Sequence, residues 1–590
     1  MSKTTSSSRR DLLKGGAVVT LTAGLAGCDL SSSAGNAAQA LTAQPSDDAG
    51  AGITIDTIAQ AERLVGVEYS DAERAQMLSG FEDAITQATR LRAVEKPNAL
   101  APACVFDPRL PGVEYRDQSE GLQRSNVDAG TLPSNDAEIA FAPVWKLSQW
   151  IANGALTSSR LTEIYLGRIE QHGSTLECFV TVTPEIARQE AARCDQELAA
   201  GQNRGPLHGI PYGMKDIIDV AGVKATWGAM PYKDRVATED ARIAVMLREA
   251  GAVLLGKTTN GAIAYGDRWF DGATRNPWNT DEGSSGSSAG SASATVGGLV
   301  GFSIGTETLG SIVSPSNRCG ATGLRPTFGR VSRAGAMALC WSLDKLGPIC
   351  RSVEDTALVL AAINGQDDND VGSIDMGLDI NAGADVRGMK VGYHPAWFEN
   401  GSDADRAALE AARAAGVELV EVNLPDLPYG SLLMSVEAEA AAAFEELTLS
   451  NQDDSMVWQD DAAWPNTWRR SRFISAVDLI NSDRFRRQVM SVMDEAFEGL
   501  EAMIGPNFAA SLLVITNYTG HPQLAFRSGY TQRTTRAPSG LPRSEDETLH
   551  SVMQTTSLWA PLFEEGKIIA LGREIERRLG VASDQPPQFS

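Results

Sequence analysis

The chain has 590 residues, 43% hydrophobic and 21% charged, with a net charge of −24; that is ordinary for a large globular protein with room for a sizeable core. Acidity of this degree repels phosphate backbones, and no Lys/Arg patch stands out against it, which excludes nucleic acid as a partner. Five scattered histidines and no Cys-x-x-Cys pair exclude a zinc site, and no metal or other cofactor is expected.

The N-terminus opens with Ser8-Arg9-Arg10-Asp11-Leu12-Leu13-Lys14, then an apolar run from Gly15 to Gly27. The run is too short to span a bilayer, and a charged stretch before an apolar one is the layout of a signal peptide. The twin arginine resembles the address for export of folded proteins. Leu25-Ala26-Gly27-Cys28 resembles a lipobox, in which Cys28 is lipidated. Residues 1–28 are therefore expected to be a signal segment, and the protein an exported periplasmic or cell-envelope lipoprotein that touches membrane only through its anchor. Residues 29–52 are mostly Ser, Ala, Gly, Gln and Asp and read as a flexible tether. The six later cysteines, Cys104, Cys178, Cys194, Cys319, Cys340 and Cys350, are spread through a chain that needs no staples and read as buried thiols.

From Ile53 to Ala93 the spacing of Ile58, Ala61, Leu64 and Val65 predicts helix. Pro97 to Pro111 is Pro-rich and reads as a surface wrap. From Glu138 helical periodicity returns in Trp145, Ile151, Leu161, Ile164, Tyr165 and Ile169, followed by a strand over 179–183. Helices are then predicted over 241–250, closed by Gly251, over 352–363, with Ser352 and Asp355 as a cap, and over 405–415. Strands are predicted over 252–255, 389–393 and 417–420. Such alternation points to an α/β sheet covered by helices. Residues 430–510 read as mostly helical and amphipathic, a lid or a substrate-shaping insertion.

Three segments carry chemistry: Gly209-Ile210-Pro211-Tyr212-Gly213-Met214-Lys215-Asp216, the run Gly283 to Ser291, and Gly305-Thr306-Glu307-Thr308-Leu309-Gly310-Ser311-Ile312. Singly, each has a plain reading as a surface lysine, a linker or a turn. The small apolar stretch Ala292 to Gly305 does not suit a solvated linker, and the run lacks the Gly-Lys-Ser/Thr ending of a phosphate loop.

Together they resemble the amidase-signature family, whose hallmark is Ser-Ser-Gly-Gly-Ser followed by Gly-Thr-Asp/Glu-x-Gly-Gly-Ser. Ser287-Ser288-Ala289-Gly290-Ser291 and Gly305 to Ser311 match it, as do Arg275-Asn276-Pro277-Trp278, Gly320 to Thr327, and Gly347-Pro348 with the helix that follows. The resemblance implies an amidase-signature fold of the α/β class over 138–580, a mixed central β-sheet covered by helices, with a helical N-terminal extension over 53–137. It implies an amidase acting on a small-molecule or peptide amide, with Ser311 as nucleophile, Ser287 on a cis peptide as proton relay, and Lys215 as base. It implies an oxyanion site made by the backbone of Thr308, Leu309, Gly310 and Ser311. A serine needs such a neighbouring base, and lysine serves only when its pKa is lowered enough to make it neutral. Two features depart from the pattern. Ser284-Ser285-Gly286 duplicates the serine pair but lies three residues too far from Ser311, and Leu309 stands where the family often has Gly. A glutaminase subunit of a tRNA-dependent amidotransferase and a non-catalytic amide-binding lipoprotein are the alternatives, and a homodimer is left open.

Overall fold

The protein is described by a computed structural model covering residues 52–590 apart from 544; Cys28, the twin arginine and nearly all of the tether lie outside the described residues. The chain divides into two units, the first ending at Glu95 and the second running from Lys96 to Ser590.

In the first unit the predicted long helix is two, Ile55–Val65 and Asp71–Arg92. Gly66 ends the first in the left-handed region at φ 71°, where a residue without Cβ sits at no cost. Ser70 restarts the chain with a capping box, its N–H donating to Glu73 Oε2 (2.7 Å). Periodicity alone does not mark this break, because only five residues, Gly66 to Ser70, separate the two helices and Val67 and Tyr69 among them are apolar enough to continue the pattern.

The second unit is built on an eleven-stranded sheet. In chain order its strands are β1 (Phe179–Val182), β2 (Pro211–Lys215), β3 (Val253–Thr258), β4 (Phe302–Glu307), β5 (Thr322–Arg325), β6 (Lys345–Cys350), β7 (Lys390–Tyr393), β8 (Glu418–Glu421), β9 (Ala502–Pro506), β10 (Gln523–Thr534) and β11 (Leu549–Trp559). Their spatial order is β8-β7-β9-β11-β10-β5-β6-β4-β2-β3-β1. β2 runs parallel to both β3 and β4; β4, β6, β5, β10 and β11 are successively antiparallel. The sheet is therefore mixed, as the resemblance implied. Central strands such as β2, β3, β4 and β6 are buried along their whole length, so none shows the in–out alternation of a half-buried strand.

The predicted helices form over Arg242–Glu249, Val353–Ile363 and Asp403–Ala414, and Ser352 Oγ accepts the Asp355 N–H at 3.4 Å. The helix Glu565–Leu579 packs on β10 and on Val353–Ile363. The 430–510 stretch is mostly helical, but its end is β9 of the central sheet rather than insertion. The Pro-rich segment is fastened to the body: Asn98 Nδ2 donates to Ala338 O and Asn98 Oδ1 accepts the Ala338 N–H, both at 2.8 Å. Among the described cysteines none is in a disulfide; Cys104 is exposed and the other five are buried.

Candidate active site

β2 and β4 are parallel neighbours, with Tyr212, Gly213 and Met214 in register with Phe302, Ser303 and Ile304. Their carboxyl ends therefore come out side by side, the edge where open α/β sheets gather functional groups. Lys215 is the last residue of β2, and Thr306 and Glu307 are the last of β4. Lys215 has no solvent exposure. Its Nζ lies 2.9 Å from Ser287 Oγ, 3.1 Å from Ser288 Oγ and 2.8 Å from Thr306 Oγ1. Three hydroxyls and no carboxylate make a poor shell for a buried cation. Burial accordingly pulls the Lys215 pKa down to about 7, against the opposing pull of Asp344 and Glu307.

The Gly/Ser run supplies the serines from the turn that leads into the helix Ala289–Val296. The Gly286–Ser287 peptide is cis, at the bond the family resemblance implied. The duplicate pair is sorted by geometry: Ser287 and Ser288 face Lys215, whereas Ser285 Oγ lies 2.8 Å from Ser314 Oγ. Gly286 is required by close approach, since a Cβ there would stand 1.8 Å from Gly266 O. Ser288 also ties the two signature segments together. Its N–H donates to Ser311 O (3.1 Å), and its hydroxyl accepts the Thr306 N–H and donates to Thr306 O (3.1 and 3.0 Å).

Beyond β4 the turn 308–311 is held from both ends. Glu307 Oε2 accepts the N–H groups of Ile312 and Val313 (2.8 and 2.9 Å). Its Oε1 accepts Arg325 Nη1 (2.8 Å) and Asn517 Nδ2 (3.0 Å). Burial pushes the Glu307 carboxyl up, but Arg325 and these N–H donors outweigh it and leave it below its usual range. Thr308 Oγ1 donates to Asp344 Oδ1 (2.6 Å), and Asp344 Oδ2 accepts the N–H groups of Leu339 and Cys340. Gly310 has φ 94°, a conformation only glycine adopts without strain. Leu513 covers it, 3.3 Å from where a Cβ would be. Leu309 packs against the apolar cluster that includes Cys340, Leu343 and Leu512, so the departure from Gly is absorbed as an apolar anchor. Ser311 itself is 9% exposed.

Sequence reasoning missed the clamp on the outer side of the serine turn. Asp267, fully buried, accepts the Ser285 N–H (2.9 Å), Arg536 Nη1 (2.6 Å) and the Ser539 N–H (2.7 Å). The connection between β10 and β11 thus folds back onto the Gly/Ser turn. Thr306, Ser288 and Asp344 were also missed as side chains, although two of them lie inside the motifs. A cavity of about 840 Å³ adjoins the site, its wall including Thr306, Thr308, Asp344, Ile217, Ala264 and Met337.

Among the described residues, one trio, Cys194, Glu197 and His208, brings metal-ligand atoms within 4.8 Å of one another. Each is already engaged: Cys194 Sγ with Gly251 O, Glu197 with Arg204, and His208 Nε2 with Cys194 O. That pattern is hydrogen-bonded packing beneath the sheet.

A family profile described as Amidase matches residues 160–528. The chain belongs to the amidase family. Among curated relatives, a glutamyl-tRNA(Gln) amidotransferase subunit of Geobacter sulfurreducens is 38% identical over 309 residues, a match covering 50% of this chain and 64% of the relative. The corresponding subunit from Anaeromyxobacter dehalogenans is 30% identical over 470 residues, covering 73% and 94%. This chain thus spans under two thirds of the first relative and nearly all of the second. Among solved structures, the native peptide amidase from Stenotrophomonas maltophilia superposes with a TM-score of 0.65 at 28% identity, covering 76% of this chain and 99% of that one.

Proposed function

We propose that this member of the amidase family hydrolyses a carboxamide to a carboxylate and ammonia or an amine. The observation that carries the reading is Lys215: buried, without a carboxylate partner, and 2.9 Å from Ser287 Oγ. A lysine so placed is neutral in a good fraction of molecules near pH 7 and can take a proton. Ser311 Oγ attacks the amide carbon while its proton passes to Ser287, whose own proton passes to Lys215. The backbone N–H groups of 308–311 hold the oxyanion. Collapse breaks the C–N bond, and the proton returns through Ser287 to the leaving nitrogen. Water then repeats the attack on the acyl-enzyme and frees Ser311. The 840 Å³ cavity beside Thr306 and Thr308 has the size of a small-molecule site. A panel of aliphatic, aryl and peptide amides, assayed for ammonia or amine release by the purified protein, tests this. Turnover that survives Ser311→Ala would overturn it.

The relatives' names favour one other reading, a glutaminase subunit of an amidotransferase. Ammonia release from glutamine only, and only with the other amidotransferase components added, would select it. The N-terminal sequence favours the first reading, because a twin-arginine, Cys28-lipidated precursor is exported away from tRNA. Arg9→Lys with Arg10→Lys is expected to retain precursor inside the cell, and Cys28→Ala to yield a protein lacking the lipid mass. Unchanged fractionation and mass in both would remove the export proposal.

A further inference from the structure

The helix Ala476–Ala496 has two unlike faces. One is seated on the body: Ser482, Arg486, Val489, Met490 and Met493 are buried, Ser482 Oγ donates to Ser431 O (3.1 Å), and Arg486 Nε donates to Tyr518 O (2.6 Å). The other carries Val477, Ile480, Arg484 and Arg487, which three- and four-residue steps place in one stripe. Val477 and Ile480 are 68% and 63% exposed, and Phe473, in the turn just before the helix, is 58% exposed. Single exposed apolar residues need no explanation, but three clustered large ones mark a contact surface.

The charge around them is a local exception to an acidic chain, which the composition concealed. Residues 469–487 contain six arginines (469, 470, 472, 484, 486, 487) against two aspartates (478, 483), in a chain of net charge −24. Arg469 is committed to Asp453 and Asp454, Arg472 to Glu445, and Arg486 is buried. Arg470, Arg484 and Arg487 form no close ion pair among the described residues: Arg484 Nη1 is 2.9 Å from Asn481 Oδ1, and Arg487 acts on the Asp107 carboxylate only at longer range.

We propose that this stripe is a lipid-facing surface that rests on an anionic bilayer, with Phe473, Val477 and Ile480 entering the boundary between headgroups and acyl chains and Arg484 and Arg487 at phosphate level. An exposed apolar edge bordered by exposed arginines is the chemistry of an interfacial helix. A second copy of the chain is the competing occupant, and the oligomeric state in solution separates it from a lipid contact. No helix among the described residues is long and apolar enough to cross a membrane, so the contact is peripheral. It is a protein–lipid contact additional to any anchor at Cys28, and it does not depend on the amidase reading.

The test uses full-length protein carrying Cys28→Ala, so that no lipid anchor contributes, and vesicles of phosphatidylcholine with or without phosphatidylglycerol. The parent is expected to sediment with the phosphatidylglycerol vesicles and to lose binding as salt rises. Adding Val477→Glu and Ile480→Glu should weaken vesicle binding by about tenfold or more, while the unchanged N-terminus cancels between the two proteins. Arg484→Gln with Arg487→Gln should remove the phosphatidylglycerol preference. Turnover of a soluble amide and the Tm should stay at parent values, because both apolar positions are solvent-exposed; Val477→Ser with Ile480→Ser serves if the glutamates lower the Tm. Equal vesicle binding by parent and variant, no preference for anionic lipid, or a parent dimer that the substitutions dissociate without lipid would each overturn the proposal.

Discussion

Two lysines on adjacent parallel strands have the same burial and opposite surroundings. Lys215 ends β2; Lys257 lies on β3 in register with Met214, and neither is exposed. Lys257 Nζ has Asp216 Oδ1 at 3.5 Å, a carboxylate further held by Thr226 N–H at 2.9 Å. Lys215 has only hydroxyls and the Thr306 carbonyl. Burial drives both lysine pKa values down, but at Lys257 the neighbouring carboxylate opposes it at contact distance, whereas at Lys215 the opposing acids act from beyond the hydroxyl shell. A buried charge with a counter-ion is a strut; one with hydroxyls alone can give up its proton and take one back. The difference lies in one residue's placement, Asp216 turned toward Lys257 and away from Lys215.

The comparison breaks most sharply if Lys215 is only a strut. Lys215→Arg keeps the charge but cannot deprotonate, so kcat is expected to fall by about 10³-fold or more, as it should in Ser311→Ala. Circular dichroism and Tm check that both variants fold, with Lys215→Met as the smaller substitute if the guanidinium does not fit. Arginine-variant turnover within tenfold of wild type would assign Lys215 to the strut class.

The next effect is on pH dependence. With its pKa near 7, Lys215 is protonated and idle below that value and increasingly neutral above it. The kcat/KM of the wild type should therefore rise with unit slope below about pH 7 and level above it. A flat profile between pH 5.5 and 8.5, with the protein folded throughout, would contradict a lysine base.

A smaller loss is expected at the Asp267 clamp, which touches neither Lys215 nor Ser311 but fixes the Ser285 N–H two residues before Ser287. Asp267→Asn should lower kcat about 10- to 100-fold and leave KM within about twofold, the signature of displaced catalytic groups rather than lost binding. Arg536→Lys, which keeps a cation for Asp267, should recover part of kcat. A change confined to KM would relocate the clamp to substrate binding.

How far the chain could be read depended on the sequence distance of each contact. Lys215, Ser287 and Ser311 were legible because their surroundings are local: a Pro/Gly-broken strand, a Gly/Ser turn and a Gly-bounded turn. The choice of Ser287 over Ser284 and Ser285 came from spacing alone, and in the structure it is Ser287 that lies beside Lys215. Ser288 is pinned to Thr306, which fixes the offset between the two segments. Asp267 with Arg536 was invisible, the two being 269 residues apart. The helices and strands read at 241–255, 352–363 and 389–420 were legible for the same local reason, with boundaries shifting by one to three residues, whereas β4, β5 and β6 were not read as strands. The β10–β11 pair was not, because half of β10 is buried on both sides and half alternates, giving no single period. β9 hid inside a helical stretch because five residues, Ala502–Pro506, carry too little pattern to compete with the helices before them.

The smallest effect on turnover is expected at Lys257, and there the two lysines part in stability instead. Lys257→Met leaves Asp216 buried without its cation; the variant should fold less stably by on the order of 3 kcal/mol, yet retain kcat within a few-fold where it is folded. Lys215→Met should do the reverse: no turnover, but a higher Tm at neutral pH. The sign follows from linkage. The folded-state pKa of Lys215, about 7, lies below its ordinary value of 10.5, so between those pH values the unfolded chain binds the extra proton and stability rises with pH. Burying Lys215 therefore costs most at pH 7 and below, on the order of a few kcal/mol, and the cost fades toward pH 10.5. The Tm advantage of Lys215→Met over wild type should shrink across that window, measured by calorimetry at half-unit steps. An advantage independent of pH would mean that Met merely packs better, and that the buried lysine is not held near neutrality at all.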